Sequence, residues 1–227
     1  MASTTDFDPV TFLASARTKA SKGLGRPGDW LSAAQRVDAW TQARDASTNE
    51  LDQARREAIS PFAVAGEHPA TPHLSATAVD LVHRLATDSG RLSPSWAETA
   101  IAELGEETYT ELVGVVAIAT IVDTFDRVIG DGLRTLPEPE PGDPNRVRPE
   151  GVGDVGAWVS QSLEKGAANV SRTLTLVPET NSVWRPLVDS HYSRGAQFLD
   201  LQWDRHLSRP QVELTAARTT ALNECFY

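Results

Sequence analysis

Apolar and polar positions alternate over no long run of the chain, so signals for half-buried strands are scarce. Nearly everything outside one loop has the pattern of a helix. The pattern therefore predicts an all-α protein of two related helical halves. The predicted helices cover 9–22, 32–47, 50–59, 75–88, 95–104, 106–129, 168–176, 180–200 and 208–222.

The predicted helix over 106–129 is apolar around most of its circumference. A helix that is apolar on all sides is buried on all sides, so this one is expected to be the central element. The charged residues Asp123, Asp126 and Arg127 follow its apolar stretch and predict a structural ion pair near its end. Gly130 is the expected C-cap.

Three predicted helices begin with a capping-box pattern, in which a serine precedes a glutamine or glutamate by three residues. The pairs are Ser32 with Gln35, Ser95 with Glu98 and Ser208 with Gln211. In a capping box each side chain hydrogen-bonds a backbone N–H group that the helix leaves without a partner. The pattern therefore predicts where these helices begin.

The segment 131–157 differs from the rest, because it holds five prolines and five glycines. Proline lacks an N–H donor and restricts the residue before it, so neither a helix nor the interior of a sheet is expected there. We therefore predict an N-terminal helical half over 1–130, a linker over 131–157 and a C-terminal helical half over 158–227.

The two halves share a short sequence pattern. Residues 41–51 and 215–225 match at five of eleven positions at an offset of 174, and each segment follows a Leu-Ser-x-x-Gln start. This similarity favours duplication. In the alignment Leu51 occupies the position of Cys225 and Ala39 the position of Glu213. The first half therefore lacks both candidate catalytic residues and is expected to be a degenerate copy without the chemistry of the second.

Composition and charge exclude several classes of protein. Lys plus Arg number 21 and Asp plus Glu number 31, giving a net charge of −10, which argues against general nucleic-acid binding. With Cys225 as the single cysteine, the chain cannot form an intrachain disulfide. The start of the sequence has no signal-peptide pattern, and the longest apolar stretch, 112–122, is too short to span a membrane. We expect a cytoplasmic protein without a membrane partner.

The C-terminal segment carries the most specific motif. Glu213 is followed by eleven residues and then by Cys225. This arrangement resembles the alkylhydroperoxidase D / carboxymuconolactone decarboxylase-like family, whose motif is Glu, eleven residues, and Cys-x-x-Cys-x-x-x-His. The run from Glu111, ending in Asp123-Thr-Phe-Asp126-Arg127, is similar to the family's buried helix, which usually ends Asn-x-x-Asn-Arg. The resemblance covers about 75–130 and 168–227.

The resemblance implies an alkylhydroperoxidase-like helical bundle that forms homo-oligomers. It implies a thiol- or selenol-dependent peroxidase or disulfide reductase, acting on a peroxide with electrons from a dithiol and without metal, flavin or haem. The implied catalytic residues are Cys225, which resolves the oxidised partner as a disulfide, and Glu213, which relays protons. No cofactor-binding and no metal-binding residues are expected.

The sequence ends at Tyr227, directly before the position of the family's second, attacking cysteine. We expect an in-frame UGA codon read as selenocysteine at that point. A frameshift, a premature stop or a trimmed chain are the alternatives. The 227-residue chain by itself is expected to show little or no peroxidase turnover above a Cys225→Ser control.

Helix geometry adds a requirement to this motif. In one straight helix, residues twelve apart are separated by about 18 Å, so a relay between Glu213 and Cys225 needs a break in the chain. Asn223 tolerates the left-handed conformation of a helix end, which places the expected break near 222–224.

Two alternatives remain open at this stage, a non-catalytic scaffold or oligomerisation protein and a lactone decarboxylase with the same fold. The histidines show no metal-ligand spacing, and we predict that they lie in loops or on the surface. They are His68, His73, His83, His191 and His206.

Overall fold

A computed structural model describes residues 9–166, 169–191 and 207–222, and in these residues the protein is all-α, as predicted. One two-stranded antiparallel ladder is the exception. The helices are α1 (Pro9–Leu24), α2 (Ala33–Asp45), α3 (Glu50–Glu57), α4 (Ala76–Asp88), α5 (Pro94–Leu104), α6 (Glu106–Ile129), α7 (Asn169–Arg172), α8 (Pro178–His191) and α9 (Arg209–Leu222). The strands are β1 (Val152–Gly153) and β2 (Gln161–Ser162).

Helix α6 is the central element, which confirms the prediction from its apolar circumference. It has the predicted bounds of 106–129 and packs against α1, α2, α4, α5 and α8. Leu112, Val115, Ile118 and Val122 are fully buried along it. Gly130 ends the helix in the left-handed conformation, with φ of 83°, as expected for a glycine C-cap.

The acidic residues near the end of α6 form buried ion pairs, but their partners are not the predicted ones. Asp123 accepts hydrogen bonds from Trp40 Nε1 at 2.9 Å and from the Arg44 guanidinium at 2.8 Å. Asp126 pairs with Arg17 and Arg134 at 2.8 and 2.6 Å. Arg127 is exposed, because its position on the helix faces away from the bundle.

The loop between α1 and α2 is held by two buried carboxylates. Glu111 of α6 accepts the backbone N–H groups of Trp30 and Leu31, at 2.5 and 3.0 Å. Asp29 in turn accepts the backbone N–H groups of Glu179 and Thr180 at the start of α8, both at 3.0 Å. Carboxylates suit a helix N-terminus, where backbone donors lack partners. The loop therefore joins α6 to α8.

One of the three predicted capping boxes is complete in the structure, and a second shows one of its two hydrogen bonds. The side chain of Ser32 accepts from Gln35 N while the Gln35 side chain accepts from Ser32 N, which is a complete capping box. The Gln211 side chain accepts from Ser208 N at 2.8 Å at the start of α9. The third prediction was wrong by two residues: Ser93, not Ser95, caps α5, because proline fills its first helical position.

The proline- and glycine-rich segment runs along the surface of the bundle without helix, as predicted, but it holds strand β1. Val152 and Gly153 pair with Ser162 and Gln161. Upstream, the backbone N–H of Glu140 donates to Gly25 O at 2.7 Å. The sequence pattern could not show a ladder this short, because two residues carry no periodicity.

Candidate functional site

The two residues that the resemblance named as catalytic are not brought together in the described part of the chain. Glu213 lies on α9 with a half-exposed side chain and forms an ion pair with Arg209 one turn earlier, at 3.7 Å. Cys225 and Asn223 lie outside the described residues, and so does the predicted break near 222–224. The catalytic roles of Glu213 and Cys225 stay predictions.

A different group of polar side chains meets in the interior, and we call Asp52, His68, Asp80 and His83 the histidine–aspartate cluster. Asp52 stands in the first turn of α3, which Asn49 caps with its side chain. Asp80 and His83 share one face of α4, because residues three apart on a helix are neighbours. His68 comes from the coil before α4.

The cluster is closely hydrogen-bonded. Asp52 Oδ2 lies 2.5 Å from His83 Nδ1 and 3.3 Å from His68 Nε2. The other ring nitrogens also have partners: His68 Nδ1 lies 2.9 Å from Asp80 Oδ1, and His83 Nε2 lies 3.1 Å from Gln42 Oε1. The two rings are 4.0 Å apart between centroids. Each aspartate therefore holds a histidine in place.

These contacts determine the charge of His68. Both of its ring nitrogens face carboxylate oxygens, which only accept hydrogen bonds, so both must carry a proton. Burial lowers the pKa of His68, but the hydrogen bonds and charges of Asp52 and Asp80 outweigh it and raise the pKa to about 9. Burial raises the pKa of Asp52, but the two histidines outweigh it and lower the pKa to about 2. Asp80 is held ionised in the same way.

Two arginines pair with Asp80 beside a cleft of about 340 Å³. Arg55 donates to Asp80 Oδ1 at 2.6 Å, and Arg84 lies 3.3 Å from the other oxygen of Asp80. Both arginines, Asp80 and His68 line the cleft, and Trp96 forms part of its wall. The cleft gives small solutes a path to the edge of the cluster.

The histidine prediction was wrong for His83, which lies on helix α4 and is only 2% exposed. His68 lies in a coil, as predicted, but it is only 3% exposed. His73 is exposed, as predicted, and His206 lies outside the described residues. Spacing along the chain could not reveal the cluster, since Asp52 is 16 and 31 positions away from its two histidines. The Asp80-x-x-His83 spacing on an amphipathic helix was the one local signal.

The charge on His68 predicts how stability depends on pH. Because its pKa rises from 6.5 to about 9 on folding, its stabilising contribution is fully present below pH 6.5 and is lost as the pH rises through about 9. With a chelator present, we expect the thermal midpoint to fall between pH 6.5 and 9.5 more steeply in the wild type than in His68→Gln. Thermal unfolding followed by circular dichroism at both pH values measures this. His73→Gln should keep the wild-type slope, and equal slopes in all three proteins would contradict the assignment.

Fold and site together define an all-α protein with a buried histidine–aspartate cluster beside a charged cleft. No protein-family model matches the chain, and neither a curated protein nor a solved structure shows significant similarity to it. Among the described residues, no helix combines the length and apolar character that crossing a membrane requires.

Proposed function

We propose that the protein is a thiol- or selenol-dependent oxidoreductase of the alkylhydroperoxidase-like class. In this proposal Cys225 is a redox-active thiol, Glu213 relays protons, the substrate is a peroxide or a disulfide, and a dithiol supplies the electrons. The proposal starts from the eleven-residue spacing between Glu213 and Cys225. The first half of the chain adds structural support at the aligned positions.

The observation that carries the proposal is the start of α3. The Asn49 side chain accepts hydrogen bonds from Leu51 N at 3.0 Å and Asp52 N at 3.3 Å. At the offset of 174, Asn49 aligns with Asn223 and Leu51 with Cys225. If the second segment adopts the same local structure, Cys225 stands in the first turn of a helix. Free N–H groups and the helix dipole lower a thiol pKa there.

The break between α2 and α3 supports the alignment only in part, because α9 stays helical through 220–222, the counterparts of 46–48. Helix α2 ends at Asp45, a 3₁₀ turn follows over Ala46–Thr48, and α3 begins at Glu50. Residues 48–50 are the counterparts of 222–224, where the relay geometry requires a break. A chain that bends there can bring residues twelve apart within hydrogen-bonding reach, which a straight helix cannot.

The environment of Glu213 is compatible with proton transfer. Its side chain is 50% exposed, and the ion pair with Arg209 at 3.7 Å is a surface contact of small energy. The side chain can therefore exchange protons with water and with a bound substrate. A general acid or base must first lie within hydrogen-bonding reach of the group whose proton it transfers, and only then does its pKa decide how well it works.

The proposed chemistry follows the family's scheme. In that scheme an attacking thiol or selenol displaces an alcohol from the peroxide and is oxidised by two electrons to a sulfenic or selenenic acid. The Cys225 thiolate attacks that atom, a sulfur–sulfur or sulfur–selenium bond forms, and water leaves with a proton from Glu213. A dithiol then returns two electrons and restores both groups.

Thiol–disulfide exchange tests the role of Cys225 in the chain as it stands. We expect Cys225 to react with glutathione disulfide at pH 7 faster than the same cysteine in a peptide of residues 221–227. Glu213→Gln should slow the reaction by about tenfold, because it removes the proton acceptor. Mass spectrometry of the mixed disulfide over time measures both rates.

Glu98→Gln is the matched control, since Glu98 is an exposed glutamate on another helix. It should leave the exchange rate unchanged. Equal rates for the folded chain and the peptide, together with no effect of Glu213→Gln, would refute the proposed function.

A second candidate function, oligomerisation without catalysis, is favoured by the surface of α9. None of its described side chains is buried, and Leu214 and Leu222 are 71% and 66% exposed. A second chain that covered these leucines would remove apolar surface from water.

Light scattering after size exclusion tests this second candidate. The wild type is expected to elute as a homo-oligomer, and the double substitution Leu214→Gln with Leu222→Gln should shift it towards the monomer. If the wild type is monomeric at high micromolar concentration, the oligomerisation candidate fails. Cys225→Ser should not change the mass.

A further inference from the structure

We propose that Asp52, His68 and His83 form a binding site for a divalent transition-metal ion, for which Zn²⁺ is the natural probe. The site would lie in the first half of the chain, and the proposed redox function makes no use of it.

The donor atoms have the type and the proximity that such an ion requires. Two imidazoles and one carboxylate each offer a ligand atom, and these atoms lie within 4.8 Å of one another. All three residues are at most 3% exposed. Zinc binds histidine nitrogen and carboxylate oxygen at about 2.0–2.2 Å, so side-chain adjustments of about 1 Å would close the site around the ion.

The surroundings of the two histidines have the arrangement of an outer coordination shell. Ligating histidines usually donate their second ring N–H to a carboxylate or a carbonyl, which fixes the ring orientation. Here His68 Nδ1 faces Asp80 Oδ1 at 2.9 Å, and His83 Nε2 faces Gln42 Oε1 at 3.1 Å. With those nitrogens occupied, His68 Nε2 and His83 Nδ1 both point to Asp52.

The second oxygen of Asp52 supplies an independent observation. Asp52 is 1% exposed, and within the described residues its Oδ1 has no hydrogen-bond partner. A buried carboxylate oxygen without a partner is costly, and coordination of a cation is one of the few ways to compensate it. The hydrogen bonds from the two histidines reach Asp52 Oδ2 alone, whereas a bound metal ion can be coordinated by both oxygens of Asp52.

Binding would exchange protons for the metal. His68 Nε2 and His83 Nδ1 would each lose the hydrogen that they direct at Asp52, and the ion would take the place of those protons. Three protein ligands are the number found in catalytic zinc sites, where water or substrate fills the next position. His68 also lines the 340 Å³ cleft, so the site lies beside it.

Metal titration of the purified, chelator-treated chain tests the proposal. We expect one Co²⁺ per chain, with visible d–d absorption, and its displacement by Zn²⁺. His68→Gln and His83→Gln should each weaken Zn²⁺ binding by about 100-fold or more, and Gln42→Ala by about tenfold, because it removes an outer-shell acceptor. The exposed His73→Gln should bind as the wild type does.

X-ray absorption on the zinc-loaded wild type needs no variant and covers the case in which a substitution prevents folding. Scattering from two imidazoles and from carboxylate oxygen is expected. A zinc environment without imidazole, no binding at equimolar metal, or unchanged affinity in folded His68→Gln and His83→Gln would each overturn the proposal. None of these measurements depends on the reactivity of Cys225, so the metal site and the redox function can be refuted independently.

Discussion

Replacing Gly28 with alanine is expected to lower the free energy of unfolding by about 3 kcal/mol or more. A Cβ at this position would lie 1.8 Å from Glu111 Oε1 and 2.9 Å from Arg36 Nη1. Neither group can move aside easily, because both are fully buried and Glu111 holds the N–H groups of Trp30 and Leu31.

Urea unfolding followed by circular dichroism measures this effect. Gly153→Ala is the matched control, since its added Cβ would meet Leu163 at an ordinary contact distance of 3.4 Å. The control is expected to change stability by less than about 1 kcal/mol. Equal midpoints for the two variants would show that the loop around Gly28 is not packed against Glu111 as described.

Trp40→Ala is expected to cost about 3–5 kcal/mol, a large share of the 5–15 kcal/mol that is typical of a domain. Trp40 is fully buried between α2 and α6, and its Nε1 donates to Asp123 at 2.9 Å. The substitution removes the largest fully buried side chain among the described residues and leaves a cavity. Arg44 continues to pair with Asp123, so the carboxylate keeps a partner.

Two further variants separate packing from hydrogen bonding. Trp40→Phe keeps most of the apolar contacts and should cost less than Trp40→Ala, while Trp158→Ala, at a side chain 47% exposed, should cost less than about 0.5 kcal/mol. The expected order of loss in urea unfolding is Trp40→Ala, then Trp40→Phe, then Trp158→Ala. An effect of Trp40→Ala as small as that of Trp158→Ala would contradict the core described for α2 and α6.

The helices could be predicted because their signals are local. Helix α6 was predicted with its observed bounds, since its apolar run and the glycine at its end lie within one segment. Its ion pairs could not be predicted in the same way. Asp126 is 109 positions away from Arg17 and Asp123 is 79 from Arg44, so sequence neighbours such as Arg127 were the wrong partners.

The candidate site shows the same contrast between local signals and contacts distant in sequence. The histidine–aspartate cluster draws on α3, α4 and a coil, and only the pair Asp80 and His83 lies within one turn. Its donors become neighbours through tertiary packing, which no spacing rule describes. Glu213 and Cys225, in contrast, are connected by spacing alone, and Glu213 lies on an exposed helix face. The motif therefore names residues, and the geometry that would join them stays a prediction.

The pKa of the Cys225 thiol tests the central claim most directly. The rate of its alkylation by iodoacetamide as a function of pH gives this pKa, with a peptide of residues 221–227 as the unfolded reference. The proposed function predicts a pKa at least one unit below the 8.5 of an ordinary cysteine, because Cys225 attacks the oxidised partner as a thiolate and the proposed helix start stabilises that thiolate. A pKa of about 8.5 or higher in the folded chain, equal to that of the peptide, would contradict it.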